Sequence, residues 1–270
     1  MTDRFADFRD AHHADRPLLL PNAWDHASAA ILAGAGYSAI GTTSLGVAAS
    51  AGLPDAAGAT RAQTLALARR LAGLPCAITV DIESGFGGGP SEVADLVAEL
   101  ESFGVVGVNL EDGQADGSLA DAGRQAETIA AVKQRAPRVF LNARTDTHWL
   151  GVDRPLDSAL ERASRYRAAG ADGIFVPGVT DGIADLVSGI DAPLNVLFSP
   201  NGPSLAELTA LGVARVSTGS LLFRAALGAI IDTIAAVQTG SALAGNLPTY
   251  AEATALSDCE TPLLSRHDSR

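Results

Sequence analysis

From Pro17 to Val237 short apolar runs alternate with amphipathic stretches, and the pair repeats eight times. That rhythm is the mark of βα units built on a parallel sheet, because parallel strands need a crossover, usually a helix, between them. The strand candidates are Pro17 to Pro21, Tyr37 to Thr42, Cys76 to Asp81, Val105 to Glu111, Arg138 to Arg144, Gly173 to Pro177, Pro193 to Leu197 and Ala214 to Thr218. Between and after them the pattern predicts helices over Ala27 to Ala35, Arg61 to Ala72, Ser91 to Phe103, Ala122 to Ala136, Pro155 to Ala169, Ile183 to Gly189, Ser204 to Leu211 and Leu221 to Val237. Gly36, Gly104, Gly170 and Gly212 follow four of these helices, where a C-terminal turn favours glycine. Eight units predict a closed (β/α)8 TIM barrel, an α/β fold. An open doubly wound sheet is the competitor, but it carries a glycine fingerprint after its first strand and PNAWDHAS has none. A short N-terminal helix (Asp3 to His12) and a C-terminal helical tail after Gly240 flank the repeat. No linker interrupts it, so residues 1–270 are expected to form a single domain.

Composition excludes several functions. The 19 basic and 31 acidic residues leave a net charge of −12 with no basic run, which argues against nucleic acid as a partner. No apolar run approaches the roughly 20 residues of a bilayer span, and MTDRFADFRDAHHADRP has no signal-peptide core, so no membrane partner and a cytoplasmic location are expected. Cys76 and Cys259 lack metal-ligand spacing and make neither a disulfide framework nor a zinc site. Cys76 opens a strand at the barrel end opposite the expected site and reads as buried and apolar. Lys133 is the sole lysine and lies in a helix-like stretch, read as surface-bound, so Schiff-base chemistry has no candidate nucleophile. No Gly-Lys-Ser/Thr occurs, which removes the P-loop.

Barrel enzymes build their sites at the carboxyl ends of the strands. The third strand ends ITVDIESGFGGGP, which sets Asp81 and Glu83 two residues apart and on one side if the strand continues. The fourth ends VGVNLEDG and adds Glu111 and Asp112. Such a cluster of hard oxygen ligands suits Mg²⁺ or Mn²⁺, which retain several waters; solvated acids or helix caps are the plainer explanation, although Asp81 stands about ten residues before the next predicted helix. The fifth strand ends NARTDTHWLG, where Arg144 either grips a substrate anion bidentately or pairs internally with Asp146 or Glu111. After the second strand, the small-residue loop TTSLGVAASAGLPDA offers the Thr43 and Ser44 hydroxyls and backbone amides to an anion and closes on Asp55, itself equally readable as a turn residue. His148 is kept as a candidate acid or base, His26 and Trp149 read as structural, and Asn195, Pro177 and Ser217 either line the cavity or pack.

These segments together resemble the isocitrate lyase and phosphoenolpyruvate mutase superfamily, from about Pro21 through Leu222. The resemblance rests on GTTSLGVAASAGLPDA, on DIESGFG where that family commonly has Asp-x-Asp-x-Gly-Tyr-Gly, on the LED of Leu110 to Asp112, and on NARTD. It implies a (β/α)8 barrel, a homo-oligomer (dimer or tetramer) with helices exchanged between subunits, and a Mg²⁺ ion bound with a small 2-oxo or 2-hydroxy acid. By motif position Asp81, Glu83 and Glu111 match the metal site, and Asp55 the acid near metal and substrate. Thr43, Ser44 and Leu45 match the loop that holds the substrate carboxylate, and Arg144 matches the arginine at the reacting end; apart from the resemblance, Asn195 is kept as a substrate contact from its place near a later strand end. Catalytic duty is expected of Arg144, Asp55 and Glu111. The shared chemistry is formation of a pyruvate-type enolate. The lyases of that superfamily carry a Lys-Lys/Arg-Cys-Gly-His loop after the fourth strand and the mutases a lysine- and asparagine-bearing one; DGQADGSLADAG here has neither cysteine, lysine nor histidine. The reading is a Mg²⁺-dependent lyase or decarboxylase that cleaves a C–C bond of a small (di)carboxylate, with Asp112 to Gly123 as a mobile lid. The alternatives are P–C chemistry on phosphonopyruvate, a ketopantoate hydroxymethyltransferase-like activity, and a non-catalytic carboxylate-binding protein.

Overall fold

A computed structural model describes residues 3–257 apart from 244 and 246; Cys259 and the end of the expected tail lie outside them. In chain order the elements are α1 (Arg4–Asp10) with a 3₁₀ turn at Ala11–His13, β1 (Leu18–Leu20), β2 (Asn22–Ala23), α2 (His26–Gly34), β3 (Ala39–Thr42), α3 (Ser44–Ser50), α4 (Arg61–Leu71), β4 (Ala77–Asp81), α5 (Pro90–Ser102) and β5 (Gly107–Glu111). They continue with α6 (Ala122–Arg135), β6 (Phe140–Arg144), α7 (Pro155–Ala168), β7 (Gly173–Val176), α8 (Ile183–Gly189), β8 (Leu194–Leu197), α9 (Leu205–Ala210), β9 (Arg215–Ser217), α10 (Leu221–Thr239) and α11 (Tyr250–Ala255). Every strand pairing is parallel, in the order β1-β9-β8-β7-β6-β5-β4-β3-β2. This is the (β/α)8 barrel that the sequence predicts.

The first barrel strand carries the closure. Pro21 has no N–H to give a ladder, and it divides the strand into β1, which pairs with β9, and β2, which pairs with β3. Asn22 then stitches the seam. Its Nδ2 donates to Thr42 O at 2.8 Å, while its Oδ1 accepts from the N–H groups of Thr218 and Gly219 at 3.0 and 2.9 Å. The helix ends follow the glycine rule where the chain must reverse. Gly104 and Gly170 take φ of 88° and 104°, a region closed to most residues with a Cβ.

The main core lies between sheet and helices, where Val80, Val108, Leu141, Ile174, Val196 and Val216 point outward from the strands. A smaller core of Phe8, Leu20, Ala39, Ala77, Val106 and Phe140 fills the amino end of the barrel. There α1 acts as a plug: His12 stacks on Phe140 with centroids 4.1 Å apart and Phe8 meets the same ring edge-on. Burial pushes His12 down to about 3, so it is neutral, and its Nδ1 donates to Phe8 O at 2.7 Å.

Three sequence expectations need correction or refinement. TTSLGVAAS is not a loop: α3 forms there, and Thr43 is the residue that precedes its first turn. Lys133 is half-buried rather than free on the surface; its Nζ is held by Asp172 at 2.7 Å and by Val139 O at 2.9 Å, at the amino end of the barrel and away from the strand-end acids. Cys76 is buried at that same end, as expected, and burial raises its thiol to about 11. Finally, α10 is a 19-residue helix of mean hydropathy 1.6, long and apolar enough by length and composition to cross a membrane, although Arg224 and Asp232 interrupt it. It follows the last barrel strand as the eighth helix of the repeat, with Phe223 buried but Leu227, Ile230, Ile231, Ile234 and Val237 exposed.

Candidate active site

Strands β4, β5 and β6 deliver their last residues to one point on the carboxyl rim. Asp81, Glu111 and Arg144 are those residues, and the ladder sets Glu111 directly beside Arg144. Thr42, the last residue of β3, fixes the backbone of Asp81 by accepting its N–H at 2.9 Å. Burial raises the Asp81 carboxyl to about 6 and Glu111 well above its ordinary range; Arg144 opposes both shifts, while repulsion from Asp55 adds to both, from Glu83 to that of Asp81, and from Asp81 and Asp146 to that of Glu111. Burial is the larger cause in both, and Arg144 offsets it only in part.

Glu83 departs from the expected geometry. β4 stops at Asp81, Glu83 takes a φ of 50°, and its side chain turns away from Asp81. Its carboxylate accepts from the Thr60 hydroxyl at 2.5 Å and from Gly58 N–H at 2.9 Å, and so anchors the segment that follows the exposed Asp55. Its own N–H returns to Asp81 Oδ1 at 3.0 Å. A left-handed conformation is uncommon outside glycine and asparagine, and here two bonds from a distant loop enforce it. Among the described residues no three His, Cys, Asp or Glu side chains converge as they stand into a ready metal cage. The donor set nonetheless fits Mg²⁺: hard carboxylate oxygens lie on Asp81, Glu111 and nearby Asp55, and this ion keeps several waters in preference to an all-protein cage.

Arg144 is paired on both sides. Its Nε and Nη2 form a fork on Asp146 at 2.6 and 3.1 Å, and its Nη1 meets Glu111 at 2.6 Å. Burial opposes the guanidinium charge, but Glu111, Asp146 and Asp81 outweigh it and raise the pKa. Asp112 does not join the acids as the sequence suggested. It is fully buried and points outward to Arg162 and Tyr166 of α7, at 3.0 and 2.7 Å. The Asp112 to Gly123 segment is a small hairpin, bridged at Gly113 and Leu119 and closed by Ala120 N–H on Asp112 O at 2.8 Å.

The remaining candidates are distributed as follows. Ser44 and Leu45 occupy the first turn of α3, where backbone N–H groups have no intrahelical acceptor. His148 is partly buried, its Nδ1 3.3 Å from the Thr147 hydroxyl, with its pKa lowered by burial. His26 touches Arg70 O and Leu256 O, a structural role. Asn195 is buried inside the barrel in a network that the sequence reading missed. Arg215, wholly enclosed, donates to Ser217 and Asn109, each at 3.1 Å; Asn142 also donates to Asn109, and Ser217 to Asn195. Barrel interiors are usually filled by branched apolar side chains. Here burial lowers Arg215 to about 9, with Asp81 as the compensating charge, and its Nη1 and the Nδ2 of Asn195 find no protein partner among the described residues. The only linear hint was the alternation of polar residues in GVNLE, FLNAR and RVS, whose polar positions point inward.

Comparison with known proteins places this arrangement. A profile of the phosphoenolpyruvate phosphomutase family matches residues 8–238. A Mycobacterium tuberculosis protein of uncharacterised function is 47% identical over 91% of this chain and 93% of its own length. The 2-methylisocitrate lyase of Bacillus subtilis is 36% identical over 62% of this chain and 58% of the lyase. A Burkholderia cenocepacia crystal structure, provisionally named a phosphonomutase, superposes with a TM-score of 0.82 at 38% identity, over 86% of this chain and 99% of that one. A phosphonopyruvate hydrolase solved with oxalate and Mg²⁺ shares the fold at 24% identity and a TM-score of 0.82, over 94% of this chain and 95% of the hydrolase. The barrel, the acids and arginine at its rim and the family profile identify the chain as a member of the phosphoenolpyruvate phosphomutase family, within the isocitrate lyase and phosphoenolpyruvate mutase superfamily of enzymes.

Proposed function

We propose that this enzyme is a Mg²⁺-dependent lyase that breaks a C–C bond of a small 2-oxo or 2-hydroxy dicarboxylate through a pyruvate-type enolate, by retro-aldol cleavage or decarboxylation. The observation that carries the reading is the meeting of Asp81, Glu111 and Arg144 on three adjacent strand ends, where both carboxyl pKa values are raised. Asp81, Glu111 and Asp55 would hold Mg²⁺ (or Mn²⁺), with Glu83 bracing them from behind through the Asp55 loop and its own N–H. Once bound there, the ion supplies positive charge against the developing enolate oxygen.

The chain's own groups supply the rest. The α3 N–H groups at Ser44 and Leu45, with the Thr43 hydroxyl, receive the substrate carboxylate. Arg144 keeps Asp146 through one edge of its fork and turns Nη1, which sits on Glu111, toward the anionic end of the substrate. The unpaired amide of Asn195 donates from below. The hairpin that begins at Asp112 has no cysteine, lysine or histidine, which leaves His148 or water to supply the proton. The relatives support the class of substrate: one acts on 2-methylisocitrate, and the hydrolase structure contains oxalate with Mg²⁺.

A second reading, P–C bond chemistry on phosphonopyruvate, is favoured by the family that the profile names. Incubation with Mg²⁺ and a panel of oxaloacetate, substituted malates, methylisocitrate and phosphonopyruvate, followed by NMR, separates the two. C–C cleavage products support the lyase; phosphate from phosphonopyruvate replaces it with the second reading. Asp81→Ala is the blank, and a panel untouched by the wild type overturns both. Tight Mg²⁺-dependent oxalate binding without any turnover would instead mark a binding protein.

The exposed stripe on α10 supports a homo-oligomer. Five large apolar residues, Leu227, Ile230, Ile231, Ile234 and Val237, fall on one helix face and form a patch of the kind that a second subunit covers.

A further inference from the structure

Arg162 lies on α7, outside the barrel, and yet its guanidinium is tied to the rim. Its Nη1 donates to Asp112 Oδ2 at 3.0 Å, to Ala120 O at 2.9 Å and to the Tyr166 hydroxyl at 3.0 Å. Tyr166 donates to the same Asp112 oxygen at 2.7 Å, so a wholly enclosed carboxylate is held from the helix side by two groups. On its other side, Asp112 Oδ1 accepts the N–H of Asp146 at 2.8 Å, and Asp112 N–H donates to Arg144 O at 3.1 Å. Asp146 in turn grips Nε and Nη2 of Arg144. The path from α7 to Arg144 is thus unbroken, and every link is a hydrogen bond to a buried or largely buried group. Gly113 packs so tightly on Asp146 that a Cβ there would collide with its Oδ2, which leaves that carboxylate little alternative placement.

We propose that Arg162 is a positioning residue. Through Asp112 and Asp146 it fixes the orientation of Arg144, and through Ala120 it clamps the foot of the Gly113–Leu119 hairpin, so that rim and arginine are set by one cation that never meets the substrate. The inference rests on the reading of Arg144 as the group that receives the substrate anion. Its physical basis is the cost of leaving a buried carboxylate without its cation: once Arg162 is gone, Asp112 turns toward water, and the backbone of Asp146 that it holds is released.

The test compares Arg162→Met with Arg162→Lys in the full chain. All three acceptors of Arg162 lie on one nitrogen, so a lysine ammonium with its three donors can replace it. Hydrogen exchange is expected to rise at least tenfold in Arg162→Met for the amides of Asp112 to Ala120 and also for Thr145 to Thr147. Other segments stay as in the wild type, and Arg162→Lys restores protection. Oxalate affinity in the presence of Mg²⁺ should fall at least tenfold in Arg162→Met, recover to within threefold in Arg162→Lys, and show no further loss when Arg162→Met is added to Arg144→Lys. Loosening of the hairpin alone, with Thr145 to Thr147 still protected, would overturn the relay, and so would additive losses in the double variant. If the wild type binds no oxalate, the proposed function fails, while the exchange result still decides the role of Arg162. Should Arg162→Met fail to fold, Tyr166→Phe removes one of the two donors to Asp112, and the same two segments should loosen by a smaller factor; no change in either would refute the proposal.

Discussion

At the scale of single residues the site is defined by charge that the barrel holds at a cost. Asp81 titrates in the ordinary carboxylate range, near 3.8, when unfolded but near 6 when folded, chiefly because burial penalises its anion. Between those values the folded state binds more proton than the unfolded state, so stability falls as pH rises from about 4 to about 6 and then stays flat; the raised Glu111 extends the fall upward. Asp81→Asn keeps an acceptor for the Glu83 N–H and removes the charge. Thermal melts in chelator at pH 8 should show it more stable than the wild type by about 1 kcal/mol, roughly 2–4 °C for a chain of this size, with a flatter pH dependence and no turnover. An equal or lower melting temperature would contradict the charge argument. At Gly113, Gly113→Ala should destabilise by about 1–3 kcal/mol, as overpacking does, measured by urea unfolding. Activity should fall with it, because the displaced atom belongs to Asp146.

At the scale of elements, helix ends and strand positions were legible because they obey local rules. The predicted and observed bounds of α4, α6, α7 and α8 agree to within a residue, their starts and stops being set by Pro155, by the Asp121 cap and by glycines such as Gly170. The short α3 went unread because small residues interspersed with glycine look like a loop, and the helix is supported by burial of Val47 and Ala48 and by the close approach of Trp24 to Gly46, none of which is local in sequence pattern. The direction of Glu83 was equally hidden: two residues on a strand share a face only while the strand continues, and Thr60 decides that it does not. For α10 the apolar stripe predicts association. Ile230→Arg with Ile234→Arg should convert the oligomer to a monomer by light scattering without changing the circular dichroism spectrum, since both side chains are exposed in the isolated chain. A wild type that is itself monomeric would refute the oligomer.

At the scale of the whole molecule, the ends of β4, β5 and β6 bring two acids and an arginine from separate parts of the chain to one rim, and a divalent cation bound there should stabilise the entire barrel. With Mg²⁺ at about 100 times its dissociation constant the gain is about 2.7 kcal/mol, or roughly 5–10 °C in melting temperature. The shift should vanish in Asp81→Ala. Scanning calorimetry with Mg²⁺ and with chelator measures it, and an identical shift in both proteins would place the ion elsewhere. The sequence by itself determined the barrel and the rim residues, because periodicity and turn chemistry are local and strand ends in this fold share one face. Only the tertiary structure decided which of those residues face one another: that Asp112 serves α7, that Arg144 is divided between Glu111 and Asp146, and that Arg215 is enclosed at the barrel's centre. Those choices are settled by burial and by pairing across up to 106 residues of chain, energies that no local pattern contains.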